Sequence, residues 1–413
     1  MFSSRLDIIH GYDKGNKKRR SKKLMKSNFI YYIPTKVYFG ENKLQFLGEE
    51  LKKYGTKVLL VYGGGSIKKN GLYDRIRKEI EKSELELFEY SGIEPNPRHT
   101  SVNQGADICK KENIDVLLAV GGGSVIDATK FIGAATYYNG DAWDLVTRKV
   151  PITRCLPIIT ILTLAATGSE MNAGGVISNL DTKDKIGCGN ACMLPKASFL
   201  DPTVTYSVDR YQTACGSADI FSHVLEVYFN MNEDLFMLDS FMEGLMKAVI
   251  KYTPLAMKEP DNYEARANLM WASSWAINGF IEGGKTQAWS CHPMEHELSA
   301  YYDMTHGLGL AILTPRWMKY TLNNRTVSRF EQFGRNVFDI KNDSDPMVIA
   351  NKAIHMTTEF FFKTLGLKSN LSELGIDDSK FEIMAKKASQ NGTMEAFQPL
   401  NKEDIENIYR LCL

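Results

Sequence analysis

The chain has 413 residues, more than one ordinary core supports, since single hydrophobic cores stop growing near about 250–300 residues, so two domains are expected. Charged residues make up 24% and hydrophobic ones 44%, the balance of a folded globular chain and not of a disordered or fibrous one. A net charge of +1 supplies no broad basic field for nucleic acid, and no apolar run reaches the ~20 residues of a membrane-spanning helix.

Residues 1–24 differ from the rest. They carry eight Lys or Arg against Asp7 and Asp13 and show little periodicity, which predicts a disordered extension or a stretch upstream of a start at Met25; the alternative is a basic arm for an acidic partner. From Thr35 to about Pro202, strand-like and helical patterns alternate. Strands are expected at 57–62, 85–90 and 115–120, and helices at 68–82, 101–111 and 125–137, the signature of a parallel α/β sheet. Val58–Tyr62 and Val116–Val120 are continuously apolar, as strands covered on both faces must be. Beyond Pro202 long helical patterns follow at 209–229, 235–252, 263–281, 287–302 and 308–320, so an α/β domain at 25–205 and a helical domain at 206–413 are expected.

The seven cysteines are odd in number and lack a framework spacing, as reduced thiols of a cytoplasmic protein would. Cys188 and Cys192 have no second Cys pair to complete a zinc site.

Two glycine triplets follow buried strands. Gly121-Gly-Gly-Ser124 opens a helix, where backbone N–H groups and the helix dipole suit a pyrophosphate, and Gly63-Gly-Gly-Ser66 repeats the arrangement. The Rossmann fingerprint itself is absent, because Lys68 stands where its third glycine belongs. Thr163 to Glu170 forms a hydroxyl-rich turn, by itself an ordinary loop, and Lys185 is by default a solvated lysine.

Histidines concentrate in the second half. Asp219 and His223 stand at i, i+4 on one helical face, His292 and His296 form another such pair, and His306 follows at a helix break. A carboxylate with imidazoles suits one divalent ion, Fe(II) or Zn(II), and an open position on it would polarise a carbonyl. Five candidates exceed four positions, which leaves one of His292, His296 and His306 in another role. Two rival readings exist. His292-Pro-Met-Glu-His296 matches the H-x-x-E-H pattern of a metallopeptidase with Glu295 as base, and a non-catalytic metal-binding protein would also explain the cluster, but neither uses the glycine turns. Trp271, Trp275, Trp289, Tyr301 and Tyr302 near these segments are either core or the wall of an apolar pocket.

Gly121–Asp127, Thr167-Gly-Ser-Glu170, Asp219–His223 and His292–Gly307 together resemble the iron-containing (group III) alcohol dehydrogenase family, in particular its butanol dehydrogenase-like, NADPH-dependent branch, from about Asn28 to Leu413. The resemblance implies the dehydroquinate synthase-like fold, an α/β nucleotide-binding domain and an all-helical domain with the active site between them. It implies metal ligation by Asp219, His223, His292 and His306, with His296 a nearby non-ligand and the candidate proton shuttle. Cofactor contacts would fall on Gly63, Gly64, Gly65 and Ser66, on Gly121, Gly122, Gly123, Ser124 and Asp127, on Thr160, Thr163 and Thr167, and on Lys185 at a phosphate. Relatives that prefer NAD place an Asp after the first nucleotide-domain strand; glycines and Ser66 stand here, so NADP(H) is expected over NAD(H). The implied activity is hydride transfer between NAD(P)H and small aliphatic aldehydes or alcohols, in a homodimer or larger homo-oligomer.

Overall fold

The structure is a computed structural model and describes residues 29–231, 235–285, 289–390 and 392–413. The basic stretch 1–24 and Gln287, where one helix was expected to begin, lie outside the described residues.

The expected alternation builds a six-stranded sheet from β1 (Lys36–Phe39), β2 (Lys57–Tyr62), β3 (Glu86–Tyr90), β4 (Val116–Gly121), β5 (Ile158–Leu162) and β8 (Ala197–Leu200). The order is β1-β8-β5-β4-β2-β3, and every neighbouring pair is parallel. The apolar runs of β2 and β4 are buried on both faces because successive side chains point opposite ways. Leu59, Val61, Leu117 and Ala119 pack on one side with Val102, Ala106, Ile126 and Phe131, while Val58, Leu60, Val116 and Leu118 pack on the other with Leu72, Ile76 and Ile80. Numbering only helices of eight residues or more, these layers are α1 (Leu72–Lys82), α2 (His99–Glu112) and α3 (Gly123–Ala135).

Three differences from expectation are local. The helix expected over 263–281 ends at Trp275. The helix expected over 68–82 is broken into Ser66–Lys69 and α1, because Gly71 adopts a left-handed φ of 77° between them. An antiparallel hairpin, β6 (Gly174–Asn179) and β7 (Asp184–Gly189), was not expected. Its strands hold four glycines and no sustained β-branched run, so they lack the usual strand signal.

The sheet ends at Leu200, and the remaining described helices are α4 (Arg210–Tyr228), α5 (Phe236–Lys258), α6 (Tyr263–Trp275), α7 (Cys291–Tyr302), α8 (His306–Thr321), α9 (Val327–Phe338), α10 (Pro346–Glu359), α11 (Phe381–Ala388) and α12 (Lys402–Leu411). Asp209 caps α4 by accepting the Gln212 N–H. Every residue from Thr213 to Tyr228 is buried, so α4 has no solvent face and runs through the helical core between α5 and α8. A polar residue in such a helix needs a partner, which is why Asp219, His223 and Glu226 matter.

Candidate metal centre and cofactor cleft

Three helices bring the ligand candidates together. Asp219 and His223 lie one turn apart on α4, His292 stands in the first turn of α7, and His306 opens α8. One oxygen, Oδ1 of Asp219, is 3.4 Å from Nδ1 of His223, 3.7 Å from Nε2 of His292 and 3.6 Å from Nε2 of His306. An ion with four tetrahedral bonds of ~2.1 Å holds its ligand atoms about 3.4 Å apart, which these spacings from Asp219 approach. The ligand atoms of Asp219, His292 and His306 all lie within 4.8 Å of one another, and His223 falls outside that set. Asp219 Oδ1, His223 Nδ1 and His292 Nε2 are buried and take no hydrogen bond, which leaves them available to a cation.

The charges agree. Asp219, Glu226, Glu295 and Lys185 are all buried around this point, so three carboxylates face one ammonium, an excess of buried acid that a divalent ion would offset. Burial opposes ionisation of Asp219, yet the surrounding imidazoles of His223, His306 and His292 hold its carboxyl below the usual range. Burial lowers His223 to about 4, whereas the carboxylates of Glu226 and Asp219 overcome burial at His292 and raise it to about 9.

Two buried glutamates orient the histidines. Glu226 lies 2.5 Å from Nδ1 of His292, and Glu295 hydrogen-bonds Nδ1 of His306, so both rings turn Nε2 towards Asp219. Neither glutamate was assigned this part from the sequence. A signal exists, since each follows a ligand candidate by three residues on one helix, but each serves a histidine on another helix. Glu295, His296 and His306 also approach one another closely. Glu295 is an unsuitable ligand there, because its Oε2 already meets Lys185 at 3.2 Å as well as His306. The same contacts, with Ser299 on its other oxygen, remove Glu295 as a free base and with it the metallopeptidase reading.

The centre opens on a cleft of about 960 Å³ lined by His223, His292, His296 and His306 together with Ser124, Asp127, Thr167 and Lys185. Ile277 and Trp289 add apolar surface, and the Trp289 ring stands edge-on to His292 at 4.8 Å. Trp275, Tyr301 and Tyr302 instead pack against the helical core or its edge, and Trp271 is partly exposed beside Phe39.

The glycine turns lie at the carboxyl ends of β2 and β4, where the chain leaves β2 for β3 on one side and returns to β4 on the other; this is the switch point at which open α/β sheets bind ligands. Gly122 caps α3 without a side chain, leaving its first N–H groups open to an anion. A Cβ on Gly123 would lie 2.2 Å from Thr167 Oγ1, so the second turn needs glycine for close packing, while Gly65 needs it for a φ of 92°. Cβ atoms on Gly64 or Gly65 would meet nothing within 4 Å.

Three expected cofactor contacts need correction or refinement. Thr160 is buried within the sheet and its hydroxyl bonds Ser198 on β8, so it does not face the cleft. Thr163, at the end of β5, is partly exposed and its N–H bonds Gly121 O, tying two turns together. Lys185 faces the cleft, where it donates to Ser299 and Glu295 and also meets His306. Asp127 accepts from Ser169 at 2.5 Å and from the Val176 N–H at 2.9 Å, and the buried Lys130 binds Ser169, Asn172 and Gly174 O, so the pair holds the loop between β5 and β6 against α3.

Comparison with known proteins assigns the class. The description "Iron-containing alcohol dehydrogenase" matches residues 34–202, and "Fe-containing alcohol dehydrogenase family, C-terminal" matches residues 213–413. The chain is 52% identical to NADH-dependent butanol dehydrogenase A of Clostridium acetobutylicum over 93% of this chain and 99% of that one. It is 38% identical to the NADPH-dependent aldehyde reductase YqhD of Escherichia coli over 89% and 94% of the two chains. The crystal structure of NADH-dependent butanol dehydrogenase A from Thermotoga maritima superposes with a TM-score of 0.89 at 36% identity, covering 94% of this chain and 98% of that one. The chain therefore belongs to the iron-containing alcohol dehydrogenase family and is a metal-dependent oxidoreductase acting on alcohols and aldehydes. Among the described residues no helix is long and apolar enough to cross a membrane.

Proposed function

We propose that the protein reduces short aliphatic aldehydes such as butanal with a nicotinamide cofactor, and oxidises the corresponding alcohols in reverse. The carrying observation is the cluster of unpartnered buried donors on Asp219, His223 and His292, facing a cleft that Ser124 and Thr167 of the nucleotide turns also line. Asp219, His223, His292 and His306 would hold one divalent ion, which when bound supplies a Lewis acid for the carbonyl oxygen. Ile277 and Trp289 exclude water and receive the alkyl chain. The turns at Gly63–Ser66 and Gly121–Ser124 orient the cofactor across the switch point. His296 lines the cleft with its ring 5.8 Å from that of His306, and burial, with the Lys185 charge next, holds its imidazole well below the ordinary range. A neutral imidazole there passes a proton between a ring nitrogen and the product oxygen, directly or through water.

For the cofactor, the absence of a carboxylate on Gly63–Ser66 and the open space at Gly64 and Gly65 support NADPH. A second reading, NADH, is favoured by the names of the relatives that are 52% and 50% identical. The exposed Lys68 does not decide it, because Glu89 stands 3.5 Å from its ammonium. Assembly as a homodimer or larger belongs to the same proposal; its support is the outer edge of β1, unpaired among the described residues, with exposed Phe29, Ile30 and Tyr32 ahead of it. Butanal reduction should be measured with NADPH and with NADH, on metal-stripped protein resupplied with Fe(II) or Zn(II). Turnover restored by metal and higher kcat/KM with NADPH is expected; folded protein inactive under all four conditions would overturn the proposal.

A further inference from the structure

A buried chain of polar groups crosses the cleft behind the metal ligands. It begins at Lys185 on β7, in the sheet half, and ends at His306 on α8, in the helical half. Lys185 Nζ lies 2.9 Å from Ser299 Oγ, 3.2 Å from Glu295 Oε2 and 3.3 Å from His306 Nδ1. Glu295 is fully buried; its Oε2 accepts from both Lys185 and His306, and its Oε1 accepts the Ser299 hydroxyl. The other oriented ligand differs: Glu226 bonds His292 with backbone N–H groups of Ser290 and Cys291 as its remaining donors, and among the described residues no Lys or Arg forms an ion pair with it.

We propose that Glu295 is a positioning residue for the metal centre and that Lys185 sets how strongly it acts. A carboxylate on Nδ1 fixes the tautomer that leaves Nε2 free and makes that nitrogen a better donor. An ammonium sharing the same oxygen withdraws part of that effect. The donor strength of His306 therefore depends on a residue carried by the hairpin of the opposite half. A purely structural ion pair predicts that losing either partner harms the centre equally. The arrangement here predicts opposite signs. Removing the Glu295 charge weakens metal binding, whereas removing the Lys185 charge strengthens the hold of His306.

This inference rests on the metal site proposed above, and both are tested by titrating Co(II) into metal-stripped wild type, Glu295→Gln, Lys185→Met and the double variant, following metal affinity and the visible Co(II) spectrum. Glu295→Gln should bind roughly 10–100-fold more weakly. Lys185→Met should bind at least as tightly as wild type with a shifted spectrum, and the double variant should match Glu295→Gln, since Lys185 acts through Glu295. The double variant loses both charges together, so it remains informative if Lys185→Met alone does not fold. Equal weakening in both single variants, or a double variant weaker than Glu295→Gln, overturns the inference. Wild type that binds no Co(II) overturns the metal site itself.

Discussion

Glu226 places Oε1 2.5 Å from Nδ1 of His292, while its Oε2 accepts the N–H groups of Ser290 and Cys291 at 2.6 and 2.8 Å. One carboxylate thus anchors the start of α7 and fixes the ring that α7 presents. Glu226→Gln keeps the size and can keep the two backbone bonds through its oxygen, but it then points an NH₂ group at His292. The ring must answer with an unprotonated Nδ1, which moves the proton to Nε2, the atom facing Asp219. Metal affinity should fall roughly 10–100-fold with the fold intact. Full metal content in the purified variant at micromolar supply would contradict this.

The three histidines of 292–306 should separate by assay. His292→Ala and His306→Ala each remove a nitrogen less than 4 Å from Asp219 Oδ1 and should lose the metal. His296 lines the cleft without approaching that oxygen in the same way. His296→Ala should keep its metal, lose roughly 10²–10⁴-fold in kcat and change its pH profile. Metal analysis beside steady-state kinetics decides, and loss of metal from His296→Ala would make it a ligand.

The sequence made some of this visible and hid the rest for physical reasons. Periodicity located β2, β4 and α4 because both-face burial writes long apolar runs, and the i, i+4 pair at Asp219 and His223 could be seen from spacing alone. The β6–β7 hairpin was hidden because glycines and polar residues fill it, and with it the contacts of Lys185 to Ser299, Glu295 and His306. Thr160 was misplaced because a hydroxyl on a strand can face a neighbouring strand as easily as a ligand, and only the register with Ser198 decides. Glu226 and Glu295 were hidden because each acts on a histidine from a different helix, a relationship set by helix packing and not by spacing.

The two glycine turns should respond differently to alanine. Gly123→Ala drives a methyl to 2.2 Å from Thr167 Oγ1 and must displace the hydroxyl turn, with a cost of about 1–3 kcal/mol and a raised KM for the nicotinamide cofactor. Gly65→Ala meets open space, so its cost is the left-handed backbone alone, about 1–2 kcal/mol. Urea unfolding and cofactor KM report the two effects. A Gly123→Ala protein with wild-type cofactor KM would show that the turn at Thr167 does not frame the cofactor.

Glu297 should make stability fall with rising pH. Burial raises its carboxyl to about 7 from an ordinary 4.5, with Lys387 opposing. Lys387 stands 3.3 Å from Oε2, but that oxygen takes no well-aligned hydrogen bond, and the same ammonium is closer to Asp184 at 2.8 Å. A carboxyl with a higher pKa folded than unfolded binds its proton more tightly in the folded state. Its contribution is therefore present below about 4.5 and lost as pH climbs through 7, a swing of up to roughly 3 kcal/mol. Glu297→Gln mimics the protonated form at every pH. With metal loading held constant, it should match wild type at pH 4 and exceed it by roughly 1–3 kcal/mol at pH 9 in urea unfolding. A variant less stable than wild type at pH 9 would mean that the ion pair with Lys387 outweighs burial and that Glu297 is charged in the native state.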